Sequence, residues 1–253
     1  MTTLQAGRRT GPAAPDTAPP AALAAALTRA NQAVYADGGS VAAYVAEPYH
    51  AVRRRLARRL LDLLLADAPP GPVLEIGAGG RTLLENLPDG RLAVSADLSP
   101  DVLTAGTGVC LDVERPLPFA TGSLAGVVMG ELIEHVVMPP AVLRELHRVL
   151  KPGGALVVTT PNLATLQDRL RFLAGRSPRQ VDCEHPYLHL HIRPFTASSL
   201  RRLLGNRGFT VTALRSNYVG WQLRSGRWLQ WRWPARLLPS LGGSLVVAAR
   251  RAA

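Results

Sequence analysis

A chain of 253 residues is long enough for one full α/β domain with a sizeable core, and 47% apolar content with 5% aromatic residues fits a soluble globular protein. No run approaches the roughly 20 apolar residues that a spanning helix needs, and Cys110 and Cys183 lie far apart with no CxxC pair, which argues against a disulfide framework and suits a reducing, cytoplasmic setting. The net charge of +11 is unevenly spread: residues 1–70 carry +3, residues 71–150 carry −5, and residues 151–253 carry +13, with eleven arginines and no acid from His185 onward.

In chain order, residues 1–20 are rich in Pro, Ala, Gly and Thr without apolar period and read as a disordered tail. Arg8-Arg9 is followed by Thr10-Gly11-Pro12 rather than an apolar core, so no secretory or twin-arginine signal is expected. Residues 21–70 form an N-terminal helical segment. It is weak up to Gly38-Gly39, then strong from Pro48 to about Ala66, where Val52, Leu56, Leu60, Leu63 and Leu64 share a face. The arginines 53–59 occupy much of the rest and read as a solvated helix face. Pro69-Pro70-Gly71-Pro72 ends that helix.

Strands and helices then alternate. Strands are expected at Val73–Ile76, Arg91–Ala96, Gly108–Leu111, Ala125–Met129, Ala155–Thr159, Phe209–Leu214 and Ser244–Ala249, and helices near Thr82–Leu87, Pro100–Thr104, Pro140–Leu150 and Ala197–Asn206. This pattern predicts an α/β fold, a Rossmann-like, doubly wound, seven-stranded sheet with mostly parallel strands and a reversed last strand, spanning residues 71–253. Long connections at about 161–195 and 215–242 are expected to cover a ligand.

Four groups fall at strand C-terminal ends, where open α/β sheets bind ligands. Val73-Leu74-Glu75-Ile76-Gly77-Ala78-Gly79-Gly80 reads as a buried strand that ends in an acid and turns through glycines, which lets backbone approach a ligand closely. Asp97 ends the second strand, about 20 residues on, where an acid can take both hydroxyls of a ribose. Asp112-Val113 follows the third strand and Glu131 the fourth. A carboxylate at the strand tip suits a ligand with a positive end.

These segments resemble motifs of class I S-adenosylmethionine (SAM) dependent methyltransferases. The resemblance is carried by Glu75–Gly80, Ala96-Asp97-Leu98-Ser99-Pro100, Asp112-Val113-Glu114 with Leu117-Pro118-Phe119, Glu131-Leu132-Ile133-Glu134-His135, and Leu146-His147-Arg148-Val149-Leu150-Lys151-Pro152-Gly153-Gly154. It is closest to the type 11/type 23 group, which includes ubiquinone-biosynthesis-like enzymes, and covers about residues 50–215. His191-Ile192-Arg193-Pro194-Phe195-Thr196 and Arg207-Gly208-Phe209 are similar to that group's later signature. The resemblance implies SAM as cofactor. Glu75, Gly77 and Gly79 would hold its methionine end, and Asp97 its ribose. Leu98 would pack on the adenine, Asp112 and Val113 would bind the adenine edge, and Glu131 would line the methionyl side. Arg81 follows Gly79-Gly80 where the motif usually has a third glycine, and that departure touches the path of the turn. A nicotinamide-dependent oxidoreductase, the lesser alternative, would want Gly-x-Gly-x-x-Gly, but Thr82 stands at the third position.

Methyl transfer is an in-line displacement, for which the protein aligns the nucleophile and removes its proton. The proposed catalytic residues are Glu134, His135 and His191, with pocket wall as the alternative role for the Glu134-His135 pair. His147 reads as packed or solvent-facing, and Asn162 as able to reach the acceptor. The donor-rich run Asp182–His191 reads as acceptor-pocket wall, with Tyr187 or a histidine orienting the substrate. A metal through His185, His189 and His191 does not match a standard zinc spacing, and no metal is expected. The expected function is methyl transfer to an O, N or C nucleophile of a small molecule or peptide, in specialised metabolism. RNA methylation through the basic C-terminal third is the alternative, and nucleic acid is not the favoured partner. Trp221, Trp228, Trp231 and Trp233 interleave with Arg224, Arg227 and Arg232. The segment reads first as a lid with its indoles packed on the sheet. Two other readings are a pocket for an anionic or aromatic acceptor and an interfacial patch touching membrane or nucleic acid.

Overall fold

The computed structural model describes residues 48–79, 83–103, 107–185, 188–223, 225 and 227–252, with scattered positions between 22 and 30. The expected tail 1–20, most of the helical segment before Pro48, Gly80 and Tyr187 lie outside the described residues. Among those described, no helix is long and apolar enough to cross a membrane.

Seven strands form the main sheet: β1 (Val73–Ile76), β2 (Ala93–Asp97), β3 (Gly108–Cys110), β4 (Leu124–Gly130), β5 (Leu150–Pro161), β6 (Phe209–Ser216) and β9 (Ser244–Arg251). Their order is β3-β2-β1-β4-β5-β9-β6. The pairs β1–β2, β1–β4, β2–β3 and β4–β5 are parallel, and only β9 runs against both of its neighbours. The last strand is therefore the reversed one, as the sequence pattern predicts. A separate hairpin, β7 (Val219–Gln222) with β8 (Trp228–Trp231), stands outside this sheet. It lies within the long connection 215–242 and was not expected from the sequence.

The central strands are buried on both faces, so each face carries its own apolar layer. On one side Leu74, Ile76, Val127, Met129, Leu156 and Val158 pack with α2 (Pro139–Val149) and α4 (Ala197–Gly205). On the other, α1 (Pro48–Leu65) lays Ala57, Leu60, Leu61, Leu64 and Leu65 over Val73, Val128, Val157 and Val246. The register of α1 differs from the expected stripe: Leu63 is 62% exposed, and Leu61 and Leu65 take the core face. Gly126 lies beneath this helix, where a Cβ would come within 3.3 Å of Leu65 Cδ2. The last carbonyls of α1 are capped from distant chain. Arg91 donates to Leu65 O, Ala68 O and Pro69 O, and Arg250 donates to Leu64 O.

Two expected helices differ. Residues 83–87 form turns rather than helix, because Asn86 and Asp89 take left-handed backbone (φ 50° and 57°) and Pro88 opens a short 3₁₀ turn. Leu84 and Leu87 still pack under α1, so their apolar spacing reports burial without helix. Pro100–Val102 is a single 3₁₀ turn, and Thr104 lies outside the described residues. Helices α3 (Leu166–Leu173) and α5 (Arg232–Leu237) were not foreseen. Thr165 caps α3 by accepting from Asp168 N–H, a Thr-x-x-Asp signal that the sequence carried.

Candidate active site

The sheet order reverses between β1 and β4, the switch point where such folds open a crevice. The β1 turn enters it through Gly77 and Gly79, both left-handed (φ 75° and 54°). Among the described residues nothing lies within 4 Å of where a Gly79 Cβ would sit. Glu75 is buried at the strand end, and its Oε2 accepts from Leu83 N–H at 2.6 Å, which folds the returning chain back over β1. Asp97 ends β2 and braces the same turn, with Oδ2 accepting from Gly79 N–H and Oδ1 from Ser99 N–H, each at 3.1 Å. Each oxygen keeps a second lone pair for a ligand hydroxyl. Leu98 is half-buried beside it, and Leu111 N–H donates to Asp97 O, which brings Asp112 and the buried Val113 to the neighbouring strand end. Asp112 Oδ1 accepts from Glu114 N–H.

Glu131 follows β4 in left-handed backbone (φ 51°), a strained position for a residue with a side chain. Its N–H donates to Thr159 O, and Thr159 Oγ1 donates to Glu131 Oε1 at 3.0 Å. Arg53 Nη1 lies 2.6 Å from Glu131 Oε2, close in distance though not aligned as a hydrogen bond. Arg58 donates to Leu83 O and Asn86 O, clamping α1 to the turn after Gly79. The reading of arginines 53–59 as a solvated face therefore fails at Arg53 and Arg58, while Arg55 and Arg59 are exposed. A cavity of about 40 Å³ remains between Arg53, Glu75, Gly77, Gly130 and Thr159.

Glu134, His135 and His191 come together in space. Each offers a side-chain oxygen or nitrogen, all within 4.8 Å of one another. Glu134 is buried, with Oε2 accepting from Thr160 Oγ1 at 2.9 Å and Oε1 without a hydrogen-bond partner among the described residues. Burial, reinforced by the Glu131 carboxylate, pushes its carboxyl well above the usual range, toward the neutral form. Burial pushes the His135 imidazole down to about 4. The His191 imidazole falls to about 3, through burial first and then the nearby His135. The two rings meet edge to face at 4.8 Å. His191 Nδ1 sits 3.2 Å from Gln180 Oε1, so Nδ1 carries the hydrogen and Nε2 is left as acceptor. Arg193 N–H donates to Glu134 O, which stitches the 191–193 segment onto the turn after β4.

Other expected groups lie elsewhere. His147 packs edge-on against Phe209. Asn162 is buried in a bracket, donating to Ser240 O and Gly242 O and accepting from Ala164 N–H, so it faces the fold rather than an acceptor. His185 and His189 are exposed, and the weighed His185–His189–His191 metal set does not assemble among the described residues. Thr159 and Thr160 were missed, although two hydroxyls closing an apolar strand mark where a carboxylate finds donors. The expectation that the indoles pack on the sheet fails at Trp228, Trp231 and Trp233, which are exposed, while Trp221 is half-buried.

Comparison with known proteins agrees with this architecture. Residues 49–214 match a family model described as a methyltransferase domain. A demethylmenaquinone methyltransferase of Corynebacterium urealyticum is 30% identical over 188 residues, covering 68% of this chain and 77% of the relative. A ubiquinone biosynthesis O-methyltransferase of Xanthomonas oryzae is 34% identical over 102 residues, 36% of this chain and 43% of its own length. The fold is shared with a Burkholderia thailandensis 1,6-didemethyltoxoflavin-N1-methyltransferase solved with S-adenosylhomocysteine (TM-score 0.61, 18% identity, covering 95% of this chain and 93% of that one). With the crevice at the β1–β4 switch point and this ordered match, the chain belongs to the methyltransferase-domain family of class I SAM-dependent methyltransferases.

Proposed function

We propose that this methyltransferase transfers its methyl group to a hydroxyl on a small aromatic acceptor of the quinol type, with the Glu134–His135–His191 cluster taking the proton. The observation that carries this reading is the cluster itself: two imidazoles that burial keeps neutral and a carboxyl that burial pushes toward its acid form, next to the crevice at the ends of β4 and β5. The names of the Corynebacterium and Xanthomonas relatives support a quinone-type ring, and that of the Xanthomonas relative, an O-methyltransferase, supports the hydroxyl.

The residues present fit SAM. Its sulfonium and ammonium call for carboxylates, and the crevice is rimmed by Glu75, Asp97, Asp112 and Glu131 beside the glycine backbone of the β1 turn. Glu75 with the Gly77–Gly79 turn, and Glu131, would hold the methionine end. Asp97 would take the ribose hydroxyls, and Leu98, Asp112 and Val113 the adenine. When bound, SAM supplies an activated methyl carbon. His135, neutral at physiological pH, would accept the hydroxyl proton as the acceptor oxygen is alkylated, with the His191 ring edge to face beside it. Glu134, in its acid form, would donate from Oε1 and orient the acceptor.

The test is a labelled-methyl assay that offers soluble short-tailed quinols, a peptide library and RNA in parallel. Label in an ether product of the quinol is expected. Label confined to RNA or peptide overturns the acceptor assignment, and no label in any acceptor overturns the catalytic one.

A further inference from the structure

The methyl-transfer reading leaves one large surface unused. Helices α3 and α5 both pack on β7 of the β7–β8 hairpin. They present apolar side chains to water: Phe172 and Leu173 on α3 are 70% and 82% exposed, and Trp233 and Leu237 on α5 are 67% and 71% exposed. Single exposed apolar residues are ordinary, but a cluster on contiguous elements marks an interaction surface. The exposed charged side chains described on these elements and on the turn after α3 are arginines. Arg176, Arg227, Arg232 and Arg236 are exposed there. Of the three acids after residue 150, Asp168 is buried against Arg179, and only Asp182 and Glu184 face water. Between α3 and β7 runs a groove of about 480 Å³ lined by Leu170, Arg176, Trp221 and Leu223 together with Arg171 and Arg179, which Asp168 holds.

We propose that this face docks on an anionic phospholipid bilayer, with Trp233, Phe172 and the leucines entering the headgroup–acyl boundary and the exposed arginines around them meeting lipid phosphates. The inference goes beyond the methyl-transfer reading and does not depend on it. Indoles with flanking arginines suit the membrane interface. A single-stranded nucleic acid would also use arginines and aromatic rings, but it has no use for exposed leucines. The face is wired to the candidate site by adjacent residues: Arg179 lies 4.7 Å over the Trp228 ring, and Gln180 holds His191 Nδ1.

The experiment is co-sedimentation of the full chain with vesicles of phosphatidylcholine alone, or with about one third phosphatidylglycerol, while following tryptophan emission. Sedimentation with the anionic vesicles, weakened by salt and accompanied by a blue shift of the indoles, is expected. Replacing Arg227, Arg232 and Arg236 by Gln should weaken partitioning by about fivefold per arginine. A Phe172→Ser, Leu173→Ser, Trp233→Ser variant should lose it. No sedimentation with anionic vesicles at low salt, equal sedimentation with neutral ones, or unchanged binding by the serine variant overturns the proposal. Tighter binding of a single-stranded RNA oligomer than of anionic vesicles also overturns it. Should the serine variant fail to fold by circular dichroism, the wild-type emission shift decides alone.

Discussion

Arg53 on α1 lies 2.6 Å from the Glu131 carboxylate at the end of β4, an ion pair that joins the helix covering one face of the sheet to the strained turn at the crevice. The two side chains are only 11% and 17% exposed, so the pair is screened far less than a surface bridge. Removing one partner leaves the other charge half-buried and unpaired.

Arg53→Met and Glu131→Gln are each expected to lower stability by about 1–3 kcal/mol, with the double variant less destabilised than the sum of the two by about 1 kcal/mol or more. Denaturant unfolding of the four proteins in the cycle measures this. Additivity within about 0.5 kcal/mol would show that the contact does not couple the helix to the turn.

The Arg53–Glu131 pair also marks the limit of what the chain reveals by itself. The strand-end placement of Glu75, Gly77, Gly79 and Asp97 was legible because it follows from local sequence. Arg53 was not, because a run of arginines on an amphipathic helix looks solvated until the partner 78 positions away is placed. The turns at 83–87 misled for a related reason: Leu84 and Leu87 are spaced for a helix but are buried by α1 from outside. The β7–β8 hairpin shows no clean alternation, since Trp228, Gln230 and Trp231 are all exposed. The assembly of His191 with Glu134 and His135 depends on a connection whose path only the fold decides.

Glu134 predicts a pH-dependent stability of definite sign. Burial raises its pKa in the folded protein above the ordinary value of 4.5. The unfolded chain therefore loses this proton first, and the folded state is penalised increasingly as pH rises from about 4.5 through the raised value. Glu134→Gln removes that penalty. The melting temperature of the variant relative to wild type should rise between pH 4.5 and 8. A difference that shrinks over that range would mean the carboxyl is held ionised.

His135 as proton acceptor predicts a turnover loss of about 100-fold or more in His135→Ala, with S-adenosylhomocysteine affinity unchanged. Because burial lowers its imidazole to about 4, the base form is present above about pH 5 and the acid limb of activity should lie near pH 4, while ionisation of Glu134 should bring a separate fall at higher pH. Chelation should leave turnover intact. Loss with a chelator and recovery with a divalent ion would show that the cluster holds a cation instead.

The central claim is that the β1–β4 crevice holds SAM through its strand-end carboxylates, and calorimetry with SAM on wild type and Asp97→Ala tests it most directly. Asp97 both braces the Gly79 turn and faces the ribose position in this account. Wild type should bind, and Asp97→Ala should bind at least about tenfold more weakly, the loss of one charged hydrogen-bonding partner. Absence of wild-type binding, or equal affinity in the two proteins, would contradict the account.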